Sequence, residues 1–66
     1  MEYKQAAVFA DKYCIVSTKR GETLYCIVKC VQPAYIEMED YTKDKVMHVP
    51  LASIRKIAVD KDTMML

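Results

Sequence analysis

The chain is poor in the residues that build flexible or phosphate-binding loops. It contains one glycine, Gly21, and two prolines in 66 residues. A loop that cradles phosphates needs several glycines at fixed spacing, so nucleotide binding of that kind is excluded. No linker, low-complexity stretch or internal repeat interrupts the sequence. Its length therefore predicts one small domain over residues 1–66, with a marginal core.

Long apolar runs and an excess of charge are also missing. No run approaches the roughly 18 apolar residues that cross a bilayer, and the first residues lack the apolar stretch of a signal peptide. We therefore expect a cytoplasmic protein without membrane contact. The net charge is +1, with 53% apolar and 29% charged residues. This composition is globular, and it limits any nucleic-acid surface to a local patch.

Catalytic and metal-binding residue sets are sparse. His48 is the one histidine, and no Asp–His pair is visible that would activate Ser17 or Ser53. Cys26 and Cys30 are four residues apart, which is about 13 Å along a strand at a rise of roughly 3.3 Å per residue. That separation is too long for two ligands of one zinc ion unless the strand bends sharply between them. The sequence predicts no enzyme activity, no cofactor and no metal.

Apolar and polar residues alternate from Tyr13 onward, which predicts five strands. The strands are expected at residues 13–18, 22–32, 35–41, 46–49 and 53–59. Turns are expected at 19–21 and 42–45, and one 3₁₀ turn at 50–53.

The two ends of the chain are less clearly patterned. Residues 1–12 suit a short helix or a strand. The helix is favoured by Glu2 in the first turn and by frequent alanine. Residues 60–66 are expected to form a frayed or weakly docked tail.

The first hairpin predicts a specific register. With Gly21 in the left-handed conformation of a three-residue turn, Thr18 faces Glu22 and Cys14 faces Cys26. A shift of one residue would mix apolar and polar side chains on both faces. This register would permit a Cys14–Cys26 disulfide. The cytoplasmic location opposes the bond, so reduced thiols packed as small apolar groups are the expected state.

The second predicted strand is apolar on both faces. One face carries Leu24, Cys26, Val28 and Cys30, and the other carries Tyr25, Ile27, Lys29 and Val31. A flat sheet with one solvent face would not show this pattern. Two situations produce it: a bend near the middle of the strand that exchanges its inward face, and a neighbouring subunit that buries the outer face. We expect both to contribute. The third strand alternates strictly, with Ile36 and Met38 expected inward.

These residues together resemble the Sm-like family, which includes the Sm and Lsm proteins and bacterial Hfq. The segment GETLYCIVKCVQPAYIEM resembles its first motif, with Gly21 on the turn glycine and Leu24 on the first core aliphatic position. The segment VMHVPLASIRKI resembles the second motif and ends on Ile54 and Ile57. The resemblance spans residues 1–59. It implies a mainly β fold: a small, strongly bent, five-stranded antiparallel barrel of the Sm-like or SH3-like kind.

The resemblance also implies a homo-oligomer that binds RNA on a ring face or rim. In such a ring, the fourth strand of one copy pairs with the fifth strand of the next. The Asp and Asn that place RNA bases in Sm proteins are absent, and Gln32 and Tyr35 stand nearby. Pro50 and Leu51 replace the Arg-Gly of the second motif, and His48 only loosely echoes the Tyr-Lys-His of Hfq.

Two hypotheses for function follow from the exposed polar and aromatic residues. The candidate binding residues are Lys19, Arg20, Gln32, Tyr35, His48, Arg55 and Lys56. Basic residues at exposed edges also serve solubility, and outward tyrosines suit a protein interface as well as base stacking. RNA binding and protein–protein interaction are therefore both expected possibilities. The acidic residues Glu37, Glu39 and Asp40 are expected to be solvated.

Overall fold

The structure, a computed structural model, describes residues 1–60 as one antiparallel sheet with a short helix. The elements in chain order are helix α1 Tyr3–Ala7, strands β1 Tyr13–Thr18, β2 Thr23–Val31, β3 Tyr35–Asp40 and β4 Lys45–Pro50, a 3₁₀ turn Leu51–Ser53, and β5 Ile54–Val59. The sheet order is β4-β3-β2-β1-β5. The predicted mainly β fold with five antiparallel strands is confirmed. The sheet is not closed, so the barrel stays a prediction.

The structure describes the N-terminal end of the chain. The helix expected within residues 1–12 is present, although it spans only Tyr3–Ala7. The backbone N–H of Glu2 donates to Oε1 of Gln5 at 3.0 Å, which satisfies one free donor at the start of the helix. The predicted tail lies outside the described residues except for Asp60. Within residues 1–60, no helix is long and apolar enough to span a membrane.

The predicted register of the first hairpin is confirmed. Cys14 lies opposite Cys26 in the β1–β2 pair. The backbone N–H of Thr18 donates to the Glu22 carbonyl at 2.9 Å, and the N–H of Gly21 donates to the Thr18 carbonyl at 3.1 Å. Gly21 has φ = 89°, a conformation that other residues adopt at a steric cost. The single glycine therefore sets the turn and, through it, which side chains of β1 and β2 share a face.

Strand β2 changes its inward face at Lys29. Val28 faces inward and is fully buried. The pairing with β3 then shifts between Val28 and Cys30, which makes Lys29 the extra residue of a β-bulge. Beyond the bulge Cys30 is exposed and lies opposite Glu37, whereas Val31 packs against the core. The change of inward face along β2 is confirmed, but the prediction that all three thiols pack as small apolar groups is wrong for Cys30, which is exposed.

The core lies on the concave side of the sheet. It consists of Ala6, Cys14, Val16, Cys26, Val28, Ile36, Met38, Leu51, Ile54 and Ile57. The inward orientation predicted for Ile36 and Met38 is confirmed, since both are 0% exposed. Helix α1 contributes Ala6, which is also fully buried. The helix therefore covers part of the apolar surface that the curled sheet leaves open.

Asp40 corrects the prediction of a solvated acidic cluster. The residue is 2% exposed and lies at the end of β3. Its Oδ1 accepts hydrogen bonds from the backbone N–H of Thr42, at 2.9 Å, and from the Thr42 hydroxyl. The Thr42 hydroxyl, together with the backbone N–H groups and the charge of Lys43, holds the pKa of Asp40 below its ordinary value of 3.8, against the opposing effect of burial. The ionised carboxylate therefore anchors the β3–β4 turn.

The lowered pKa of Asp40 predicts a loss of stability in acid. As pH falls, the unfolded chain takes up the proton before the folded chain does. The contribution is complete above pH 3.8 and is lost as pH falls through the lower pKa of the folded state. We expect the urea midpoint of unfolding to fall between about pH 5 and pH 2 and to fall less in the Asp40→Asn variant. Equal falls in both proteins would contradict the assignment.

Candidate functional site

A cleft of about 200 Å³ opens between the β1–β2 hairpin and β4. Its lining residues are Thr18, Arg20, Glu22, Leu24, Met47, His48, Val49, Pro50 and Ser53. The 3₁₀ turn holds the two walls of the cleft in position through backbone hydrogen bonds. The backbone N–H of Leu51 donates to the Ala34 carbonyl at 3.0 Å, and that of Lys19 donates to the Ser53 carbonyl at 2.9 Å. The turn therefore ties the β2–β3 connection to the tip of the first hairpin.

Four exposed cations lie beside one another at the hairpin end of the cleft. We call Lys19, Arg20, Arg55 and Lys56 the basic quartet. Lys19 and Arg20 form the hairpin tip, and Lys56 lies opposite Ser17 of β1, with Arg55 in the adjoining bulge. Among residues 1–60, none of the quartet forms an ion pair. A chain with a net charge of only +1 thus concentrates unpaired positive charge at one place.

An aromatic pair lies at the opposite side of the cleft, where His48 lines the cleft and Tyr35 lies beside His48. The rings of Tyr35 and His48 meet edge to face, with centroids 5.3 Å apart and planes at 86°. Nε2 of His48 lies 3.1 Å from Oε1 of Glu37 on the neighbouring strand. The side-chain amide of Gln32 donates to Sγ of Cys30 at 3.1 Å, and its backbone N–H donates to the Tyr35 carbonyl at 2.8 Å. These contacts hold Gln32, Tyr35 and His48 together on one outer face.

Two of the seven predicted binding residues, Arg20 on the hairpin and His48 on β4, line the cleft. Lys19, Gln32, Tyr35, Arg55 and Lys56 do not line it. Sequence reasoning missed the other seven lining residues: Thr18, Glu22, Leu24, Met47, Val49, Pro50 and Ser53. Nothing in the alternating pattern distinguishes them, because the cleft exists only after the sheet has curled and the 3₁₀ turn has joined its ends.

The cysteines occupy two different environments. Cys14 and Cys26 are fully buried free thiols, and Sγ of Cys26 lies 3.3 Å from Sδ of Met38. Burial raises the pKa of Cys14 to about 11 and that of Cys26 to about 12. Cys30 is exposed on the opposite face of β2. Within residues 1–60, no group of three or more His, Cys, Asp or Glu side chains is placed to hold a metal ion.

These environments predict selective thiol chemistry. The thiolate is the reacting form, so buried thiols with raised pKa values react slowly. At about pH 8 a thiol-specific reagent is expected to modify Cys30 rapidly in the folded protein and to reach Cys14 and Cys26 only after unfolding. Intact-mass measurement in buffer and in denaturant provides the check. A Cys30→Ser variant that still reacts rapidly when folded would contradict the burial of the other two.

No family model, no curated protein and no solved structure matches the chain. Function is therefore inferred from the chain's own residues.

Proposed function

We propose that this protein is a non-enzymatic, Sm-like module that binds RNA. The basic quartet carries the proposal, because it is a cluster of exposed cations, without an ion pair among residues 1–60, beside a cleft lined on its far side by His48, whose ring meets that of Tyr35. Lys and Arg side chains without carboxylate partners are free to contact phosphates. Histidine and tyrosine rings offer faces and edges on which bases stack.

The two walls have different tasks in this proposal. The quartet neutralises backbone phosphates, which supplies affinity without reading the sequence. Gln32, Tyr35 and His48 contact the bases on the other side of the cleft. Tyr35 is 38% exposed, so its ring remains accessible although its edge meets His48. RNA would therefore cross the cleft with its backbone toward the hairpin tip.

The same proposal includes self-association. Strands β4 and β5 are the two edges of the sheet, and each is six residues long. Edge strands present unpaired N–H and C=O groups, which a second copy can satisfy. We propose that β4 of one copy pairs with β5 of the next. Light scattering, read together with the 260/280 nm absorbance ratio, tests both parts, since a monomer free of nucleic acid would oppose them.

A protein-interaction module is the second candidate function. On the outer face, Ile15 lies between Tyr25 on β2 and Ala58 on β5. Tyr25 is 44% exposed, so this row offers apolar area to a protein partner. Binding through such a row would depend little on salt.

Salt dependence separates the two candidates. The test is binding of a fluorescently labelled single-stranded RNA, measured by anisotropy between 50 and 200 mM salt. Wild-type protein and a variant without the charges of the basic quartet are compared. Strong salt dependence in the wild type, lost in the variant, supports RNA binding at the quartet. Absence of binding by the wild type would contradict the proposed function.

A further inference from the structure

The size of the cleft limits what it can hold. Its volume of about 200 Å³ is below the roughly 300 Å³ at which pockets for drug-sized ligands usually begin. Because the cleft opens to solvent, one heteroaromatic ring can enter it while the attached sugar and phosphate stay outside. An occupant from RNA would therefore be a base, with its phosphate left outside.

The lining of the cleft favours a flat ring. Leu24, Met47 and Val49 are partly buried and packed against the core, so they form an apolar floor. Arg20 stands on the hairpin side of the cleft and is exposed. A guanidinium plane stacks on an unpaired base while its positive charge still adds to that of the quartet. An apolar floor below the Arg20 guanidinium suits a ring that enters with one face or edge leading.

Glu22 favours a base over a phosphate as the occupant of the cleft. Its side chain is exposed at the cleft, and among residues 1–60 it has no ion-pair partner. A carboxylate at this place repels a phosphate but accepts a hydrogen bond from an exocyclic amino group. Lys19, three residues before Glu22 in the same hairpin, donates its backbone N–H to the Ser53 carbonyl, and its exposed side chain carries positive charge outside the cleft lining. The phosphate is therefore attracted to the quartet and the base to the cleft.

We infer that the cleft binds one unpaired base that carries an exocyclic amino group, and that its ligand is single-stranded RNA. The inference rests on the proposed RNA-binding function and adds a preference among bases to it. Cytosine and uracil provide the sharpest comparison, because they share one ring and differ only at position 4, an amino group or a carbonyl, and at N3, which carries a proton in uracil alone. A glutamate that meets position 4 accepts a hydrogen bond from the cytosine amino group, whereas in uracil it faces a carbonyl oxygen that cannot donate.

The experiment compares three labelled strands of equal length by fluorescence anisotropy at one salt concentration. They are oligo(C), oligo(U) and a ribose–phosphate strand without bases. Glu22→Gln keeps the side-chain size and removes the charge. Asp44→Asn is the matched control, because Asp44 is an exposed acidic residue in the β3–β4 turn, at the far end of β4. Both changes raise overall affinity by removing a negative charge, so the oligo(C)/oligo(U) ratio is the quantity to read.

We expect the wild type to bind oligo(C) about fivefold more tightly than oligo(U), with the strand without bases weakest. Glu22→Gln is expected to bring the ratio close to one, and Asp44→Asn to leave it unchanged. Equal affinity of the wild type for oligo(C) and oligo(U), or a ratio that survives Glu22→Gln, would overturn the inference while RNA binding stands. No binding of any strand would overturn the proposed function itself.

Discussion

Replacing the four residues of the basic quartet with glutamine is expected to weaken RNA binding on the order of a hundredfold at 100 mM salt. The estimate follows from counterion release, since each neutralised phosphate of a single strand contributes a slope of about −0.7 in log affinity against log salt. Four phosphate contacts give a slope near −3, which means that the affinity for RNA falls roughly 50-fold between 50 and 200 mM salt. The variant should lose both the affinity and most of the slope.

The matched control removes the same charge from another surface. Lys4, Lys12, Lys43 and Lys45 are all exposed, and none belongs to the cleft. Their replacement by glutamine gives the same net charge as the quartet variant. If binding reflects the quartet, this control retains most of the affinity and slope. Equal losses in the two variants would show that overall charge, and not the position of the charges, governs binding. Thermal melts of both proteins verify that each is folded.

The fold was predictable where the apolar–polar pattern of a strand is compatible with only one orientation or register. Strand β3 alternates strictly, which predicted the burial of Ile36 and Met38. The register of β1 against β2 followed from Gly21, because only one alignment around that turn groups the apolar residues on one face. Both predictions depend on local chemistry that a few residues determine.

The bulge at Lys29 was not predictable in the same way. Cys30 and Val31 are both apolar, so the alternating pattern admits either of them as the inward residue. The pairing with β3 makes the choice, since Val31 lies opposite the buried Ile36 and Cys30 lies opposite Glu37. The pairing of β2 with β3 therefore determines whether Cys30 or Val31 faces inward, a choice that the alternation within β2 leaves open.

Asp40 was misjudged for a related reason. Asp40 follows Glu39 and precedes a charged turn, so the sequence pattern predicts that its side chain is solvated like that of Glu39. Its difference lies in Thr42, two residues on, because an aspartate side chain readily accepts a hydrogen bond from the backbone N–H at that spacing. Aspartate followed two residues later by threonine was a usable signal for a turn that holds its acidic side chain.

The sequence singled out two of the residues that line the cleft, Arg20 and His48, but it did not predict the cleft itself. Lys19 and Arg55 are far apart in sequence, and each was chosen for its exposed charge. The β1–β5 pairing brings their strands together, and the 3₁₀ turn then sets His48 across from the hairpin. The spacing of these residues in the sequence does not predict that they lie close together, because their proximity depends on the curvature of the whole sheet.

Ile36→Ala is expected to destabilise the folded state severely. Ile36 is fully buried and lies between Val31 of β2 and Val49 of β4. Loss of an isoleucine side chain from a packed core costs about 2–5 kcal/mol, part of it for the cavity that remains. A domain of this size has a free energy of unfolding of roughly 3–10 kcal/mol. We therefore expect the melting temperature to fall by about 10–40 °C, with part of the chain unfolded at 37 °C.

Val46→Ala provides the control for this prediction, because Val46 is an aliphatic strand residue that is 57% exposed. A change there is expected to alter the free energy of unfolding by no more than about 0.5 kcal/mol. Urea titrations of both variants at one protein concentration give the two differences directly. Similar values would mean that Ile36 does not face the core. In that case the curl of the sheet, which brings the two walls of the cleft together, would be wrong as well.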